Sequence, residues 1–357
     1  MDIQERILLI KRNTEEILTE EELFKLIENK EKLKHYIGFE ISGKIHIGTG
    51  LMCMSKVKDF IDAGIDCSIF LADWHAWIND KLGGDREIIK KVAVNYFKEG
   101  LKASLKCVGA NPEKVKFVLG SDLYHNNDDY WATMIDVSKN TSLARIQRSI
   151  TILGRKEGES VDFAKLIYPP MQVADIFFQA LNIVHSGLDQ RKAHVVAREV
   201  AEKMKISPLL NKQKEKIKPI AIHHHLILGL QKPTVWPVPK ENLHELWSSM
   251  KMSKSVPDSA IFITDSPEEI KRKINKAFWP EEEIEFNPIL DWCKSLIFSN
   301  NKELKIIRQE KFGGNKVYGA YQELEKDFSS GVLHPADLKN ATAEALISLL
   351  KPARNHF

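Results

Sequence analysis

The chain has 357 residues, 43% hydrophobic and 28% charged, which is the balance of a folded protein with room for a sizeable core and for two domains. No run approaches the roughly 20 apolar residues a membrane span needs, and the charged first fourteen residues hold no signal-peptide apolar stretch, so a cytoplasmic protein with no membrane partner is expected. A formal net charge of +3 is too small to announce nucleic acid, and composition leaves the partner open.

In chain order, residues 35–40, 68–72 and 116–119 read as strands. Helical spacing of apolar residues predicts helices over 54–62, 86–108, 130–156, 170–181 and 191–205. Short strands alternating with longer helices predict a parallel α/β sheet with crossover helices. Residues 212–218 form a lysine-rich connector, and three prolines between 231 and 239 disfavour helix. Ser266-Pro267-Glu268-Glu269 combines a capping residue, Pro at the first helical position and acids in the first turn, so a helix should start there. A last helix is expected over 338–350. The change of pattern places a boundary near residue 262, between a catalytic domain (1–262) and a helical C-terminal domain (263–357).

Cys53, Cys67, Cys107 and Cys293 lack any CxxC spacing and read as reduced, buried thiols. His223-His224-His225 looks metal-like, yet neighbouring histidines on a strand face opposite ways and no acidic or cysteine companion is near in sequence, so no protein-bound metal is expected.

Two segments carry chemistry. After the strand at 35–40 comes Ser42-Gly43-Lys44-Ile45-His46-Ile47-Gly48-Thr49-Gly50-Leu51, a glycine-bearing loop feeding a helix, where backbone N–H groups and the positive helix end meet anions. Gly48 would let an adenine ring or a phosphate come close to the backbone, and His46 offers a donor where charge builds on a reacting phosphate. Far downstream stands Lys251-Met252-Ser253-Lys254-Ser255, followed by Pro257, in a segment with the make-up of a mobile loop. Two lysines three apart, with hydroxyls nearby, can gather a polyphosphate.

These two elements, in this order and about two hundred residues apart, resemble the paired signatures of class I aminoacyl-tRNA synthetases. The resemblance implies a Rossmann-like, doubly wound nucleotide-binding sheet. Where the family usually has a second histidine this chain has Thr49, which donates a hydrogen bond but never carries charge.

The amino acid must be read from the pocket. In Tyr168-Pro169-Pro170-Met171-Gln172-Val173-Ala174-Asp175, a proline-started helix would put Gln172 and Asp175 on one face of an otherwise apolar segment, where buried polar groups need partners. The polar cluster Gly187 to Lys192 suits a ribose and an amino-acid head group. Taken together, Tyr36, Tyr168, Gln172, Asp175 and Gln190 are similar to the substrate set of archaeal and eukaryotic tyrosyl-tRNA synthetases, and Leu71 to Ala76, with His75, resembles a wall of that pocket. Singly, Tyr36 could be a strand aromatic, Asp175 the partner of a structural arginine and Gln190 a helix-start residue.

The resemblance implies that Tyr36 and Asp175 bind the phenolic hydroxyl of L-tyrosine, and that Tyr168, Gln172 and Gln190, with Glu40 and His75 nearby, hold its head group. It assigns ATP to Gly38, Gly48, Asp189, Met252, Ser253 and Ser255, with Mg²⁺ on the nucleotide phosphates. His46, Thr49, Lys251 and Lys254 would stabilise the transition state of adenylate formation. It further implies tRNA(Tyr) as the acceptor, a homodimer, and anticodon reading by Phe312, His334 and Asp337. On the residues alone, Phe312 could instead be core and Asp337 the cap of the last helix. Arg145 and Arg148 share a helical face and, with Arg155, could lie along an acceptor stem or be solvated. The rival readings are a tryptophanyl-tRNA synthetase, disfavoured by Tyr36 and Asp175, and a homologue that binds RNA without aminoacylation.

Overall fold

The computed structural model describes residues 1–239, 247, 249–280, 283–301 and 303–357. The chain divides into two compact units. One comprises Met1–Gly43, Asp59–Glu99 and Pro112–His225, the other Lys44–Lys58, Gly100–Asn111 and Leu226–Phe357.

The first unit is built on a six-stranded sheet of β1 (Thr14–Leu18), β2 (Lys34–Glu40), β3 (Asp66–Ala72), β4 (Val115–Leu119), β5 (Ile183–Gly187) and β6 (Ile220–His224), in the order β1-β6-β5-β2-β3-β4. Strands β2 to β6 run parallel, and β1 joins the edge antiparallel to β6. From β2 the chain winds outward through β3 to β4, then returns to the other side of β2 with β5 and β6. That reversal opens a crevice at the carboxyl ends of β2 and β5, the place where α/β sheets of this kind bind ligands.

The three strands expected from sequence are present within two residues. Strands β1, β5 and β6 escaped the sequence reading because TEEIL, IVHSG and IAIHH are short and interrupted by acids, histidines and glycine. Every residue of β5 and β6 is buried, as parallel strands covered on both faces require. Two histidines at and just beyond the end of β6 have acidic companions that sequence proximity could not reveal. His223 meets Glu16 at 2.8 Å and His225 meets Glu15 at 2.7 Å, both acids coming from β1.

Several helices depart from expectation. The helix predicted over 130–156 is two, Asp128–Lys139 and Leu143–Ser149, because the Ser142 side chain accepts the Arg145 N–H and starts a second helix. The helix predicted at 170–181 begins at Phe163, capped by Asp162, and runs to Phe178, so Pro169 and Pro170 lie inside it. The predicted 191–205 helix stops at Val200. Over 86–108 a wide turn at Ala93–Phe97 joins Arg86–Val92 to Lys98–Cys107.

The second unit is largely helical, with Pro267–Asn275, Pro288–Trp292, Tyr321–Ser329 and Pro335–Leu349 and a small ribbon of β7 (Leu304–Ile306) and β8 (Lys316–Tyr318). Ser266 caps its helix through the Glu269 N–H, as its sequence predicts. The last long helix starts at Pro335, three residues early, because the His334 ring accepts the Ala336 N–H. All four cysteines are buried, and none forms a disulfide among the described residues.

Candidate active site

Strand β2 and the helix Phe163–Phe178 bring Tyr36 into one apolar cluster with Phe70, Tyr124, Tyr130 and Met171, and the same helix carries Asp175 to the Tyr124 and Tyr130 hydroxyls. Asp175 is fully buried. Its Oδ1 accepts the hydroxyls of Tyr124 (2.9 Å) and Tyr130 (3.1 Å), while its Oδ2 has no hydrogen-bond partner. His75 Nε2 lies 3.7 Å from that oxygen, too far for a hydrogen bond, and neither His75 nitrogen has a partner. Burial pushes the Asp175 carboxyl well above its ordinary range, against the pull of the Tyr124 and Tyr130 hydroxyls. Burial holds His75 down to about 3, so its ring is neutral. Burial, and beyond it the Asp175 carboxylate, shift the Tyr36 hydroxyl well upward. A side chain at Gly38 would come within 2.9 Å of the Tyr36 hydroxyl; glycine there lets the ring lie along the strand.

The rest of the expected pocket gathers in the same unit. The Tyr168 ring meets His75 edge to face at 4.5 Å. Gln172 Nε2 points at Gln190 Oε1 over 3.5 Å, and Gln190 Nε2 donates to the Ile152 carbonyl at 2.9 Å. Gln172 Oε1 is buried with no partner. Glu40 accepts from Asn79 at 2.8 Å and pairs with Lys81 at 3.3 Å, and burial nevertheless raises its carboxyl. Asp189 and Gln190 sit on the turn Leu188–Gln190 directly after β5. The orphaned atoms, Asp175 Oδ2, both His75 nitrogens and Gln172 Oε1, are those for which a buried site has a ligand as its natural partner.

Residues of the second unit form a different arrangement. The stretch before Gly48 pairs with residues 261–263, Ile47 donating to the Ile261 carbonyl and Ile263 to that of Ile45. His46 Nδ1 accepts the Thr49 N–H at 3.3 Å, so the ring proton is on Nε2. Burial, with the charges of Lys254 and Lys251, holds His46 down to about 3, making it a neutral donor with both lysines in its field. A side chain at Gly48 would strike the His46 ring at 2.9 Å. The lysine loop is pinned at both ends. Lys251 pairs with Leu228 across an isolated bridge, and Met252 is buried and donates to the Ile227 carbonyl. Buried Ser259 accepts the Ser253 N–H at 3.2 Å and donates to the Val256 carbonyl at 2.7 Å, while Ser253 and Ser255 share a 2.7 Å hydroxyl contact.

In the same unit Phe312 is 62% exposed, with the Lys311 ammonium 4.9 Å from its ring centre, which removes the alternative of a core residue. His334, not Asp337, caps the last helix. Asp337 stands in its first turn, 4.0 Å from Arg308. In the first unit, Arg145 is engaged by Glu199 at 2.9 and 3.0 Å. Among the described residues, no group of three or more His, Cys, Asp or Glu side chains could hold a metal, and no helix is long and apolar enough to cross a membrane.

Sequence reasoning missed Tyr124, Tyr130, Asn79, Lys81 and Ser259. The available signal was tyrosine clustering: Tyr36, Tyr124, Tyr130 and Tyr168, four of the chain's seven tyrosines, are all buried in this one unit.

The doubly wound parallel sheet is that of a class I, amino-acid-activating catalytic domain. Residues 28–351 match the family of class I tRNA synthetases for tryptophan and tyrosine (W and Y), and the chain belongs to that family. It is 59% identical over 360 residues to the tyrosine–tRNA ligase of Thermococcus sibiricus, spanning 100% of this chain and 96% of that protein. The crystal structure of tyrosyl-tRNA synthetase from Pyrococcus horikoshii, complexed with L-tyrosine, is similar with a TM-score of 0.96, at 56% identity over 100% of this chain and 96% of that one. The tyrosyl-tRNA synthetase of Aeropyrum pernix is similar with a TM-score of 0.82 at 42% identity, over 100% and 95% of the two chains.

Proposed function

We infer that this chain acts as a tyrosine–tRNA ligase. It activates L-tyrosine with ATP to tyrosyl-adenylate and diphosphate, then transfers tyrosine to the terminal adenosine of tRNA(Tyr). The observation that carries the tyrosine assignment is the buried Asp175 side chain, one oxygen held by the Tyr124 and Tyr130 hydroxyls and the other unpartnered, with Tyr36 packed in the same apolar cluster as those two tyrosines. Such a site rewards a phenol that donates to Asp175 and accepts from Tyr36. It rejects phenylalanine, which would leave both groups unsatisfied; the scale is set by the discrimination already known for tyrosyl-tRNA synthetases, about 10⁵. An indole N–H supplies a donor but no acceptor for Tyr36.

In this reading Tyr168, Gln172 and Gln190 hold the ammonium and carboxylate of tyrosine, with Glu40 and His75 beside them, and Gly38 and Asp189 face the nucleotide. The chemistry needs no protein nucleophile. The tyrosine carboxylate attacks the α-phosphate of ATP, and positioning plus charge stabilisation carry the step. Neutral His46 donates from Nε2, Thr49 adds a hydroxyl, and Lys251 and Lys254 meet the charge growing on the departing diphosphate, with Mg²⁺ arriving on the nucleotide as part of the substrate. Gly48, Met252, Ser253 and Ser255 shape the nucleotide's surroundings.

Residues 1–262 are assigned to catalysis and 263–357 to the anticodon, where exposed Phe312 would stack on a base and His334 and Asp337 would offer polar contacts. A homodimer in the cytoplasm completes the proposal.

The test is charging of tRNA(Tyr) by the purified protein with each aromatic amino acid. Tyrosine-dependent esterification of the terminal adenosine is expected, and tryptophan-dependent charging or none would overturn the reading.

A further inference from the structure

The Asp175 carboxylate is held from one side only. Tyr124 comes from the short helix Gly120–Tyr124 after β4, and Tyr130 from the first turns of Asp128–Lys139. Their rings pack at 4.3 Å, and both hydroxyls converge on the same oxygen of Asp175. Tyr130 also reaches the Met171 carbonyl at 3.5 Å. The placement is built in. Asp73 Oδ1 accepts the N–H groups of Ser121 and Trp74, both at 3.0 Å, and its other oxygen takes the Ser121 hydroxyl, which fixes the start of the Tyr124 helix. Gly120 is required there, since a side chain would come within 2.6 Å of Asp73 Oδ1 and 3.2 Å of the Tyr124 ring.

A carboxylate accepts at both oxygens, while a protonated acid must donate from one. Two donors fixed on Oδ1 pull towards the ionised form, against the burial that pushes this carboxyl up, and leave Oδ2 as the open acceptor in the pocket. We propose that Tyr124 and Tyr130 are specificity-setting positioning residues: by donating together to Oδ1, they keep Asp175 an acceptor and aim Oδ2 at the substrate's phenolic hydroxyl. Neither hydroxyl has to touch the substrate. The proposal rests on the tyrosine reading above and deepens it. The other groups facing Asp175 are Tyr36 on β2, His75 on Asp73–Ile78, the Asp73 carboxylate, whose charge opposes ionisation, and Tyr168 on its own helix.

The test uses Tyr124→Phe, Tyr130→Phe and the double variant, which keep the rings and remove only the donors. Diphosphate exchange is measured with tyrosine and with phenylalanine from pH 6 to 8.5. Without its donors Asp175 takes up a proton more readily. The double variant is therefore expected to show a KM for tyrosine raised about tenfold or more near pH 6, falling as pH rises, with kcat little changed. Its preference for tyrosine over phenylalanine should drop by a similar factor, and each single variant should show a smaller change of the same kind. A double variant with unaltered KM, flat in pH, and full discrimination overturns the inference alone. An unaltered protein without tyrosine-dependent exchange overturns the underlying reading and the inference with it. Should the double variant fail to fold, Tyr124→Phe decides the matter by the same criteria.

Discussion

His46 shows how a residue type read from sequence acquires a chemical state only in the fold. Its Nδ1 is occupied by the Thr49 N–H, and burial, with Lys254 and Lys251, discourages a charge on the ring. In the proposed mechanism the cationic work is thereby left to the lysines. Lys254→Ala is expected to lower kcat for tyrosine-dependent diphosphate exchange by about a hundredfold or more, the scale of losing one charge-stabilising donor. Tyrosine affinity, measured by equilibrium titration, should not move. An equal loss of affinity would mean that Lys254 serves ground-state binding. The lysines and His46 were legible in the sequence because motif residues are adjacent along the chain. Tyr124 and Tyr130 were not, since their partner Asp175 lies 51 and 45 positions away.

Within elements, the lysine loop depends on one buried side chain outside its motif. Ser259 closes the loop by accepting the Ser253 N–H and donating to the Val256 carbonyl. Ser259→Ala leaves a polar group unpaired at a cost of about 1–3 kcal/mol, and the KM for ATP should rise about tenfold with tyrosine affinity retained; an unchanged KM would show that the loop is held otherwise. The turn Glu310–Phe312 presents its aromatic to solvent. Because base stacking is worth about 1–3 kcal/mol, Phe312→Ala should raise the KM for tRNA by about tenfold or more in charging assays while leaving diphosphate exchange as it was. Loss of exchange would place Phe312 in the fold's support instead. The double proline of Phe163–Phe178 shows why local rules misplace elements. Pro169 and Pro170 are sound helix starters, but a capped turn precedes them and both are buried within the helix.

At the scale of the whole molecule, histidine burial couples stability to pH. His194 is buried against His223, which is in turn held by Glu16, itself paired with Arg191. Burial and the neighbouring His223 hold the His194 ring well below its ordinary range. The unfolded chain therefore takes up a proton near pH 6.5 that the folded protein refuses. Its contribution is intact above that pH and lost as pH falls, at up to about 1.4 kcal/mol per pH unit. Replacing it, as His194→Gln, should make the decline of urea-unfolding stability between pH 6.5 and 5 shallower by about that slope. An identical slope would mean that His194 is already charged in the fold.

Alternation of strands and helices, the motifs around His46 and Lys251 and the cap at Ser266 were set by neighbours in the chain, through backbone propensity and local hydrogen bonding, and the sequence by itself determined them. Which oxygen of Asp175 is open, which tautomer His46 adopts, the pairing of His223 with Glu16 and the place of β1 at the sheet edge were decided by tertiary structure. Each depends on groups brought together in the fold and on the loss of water around them, and none of these is written in local sequence.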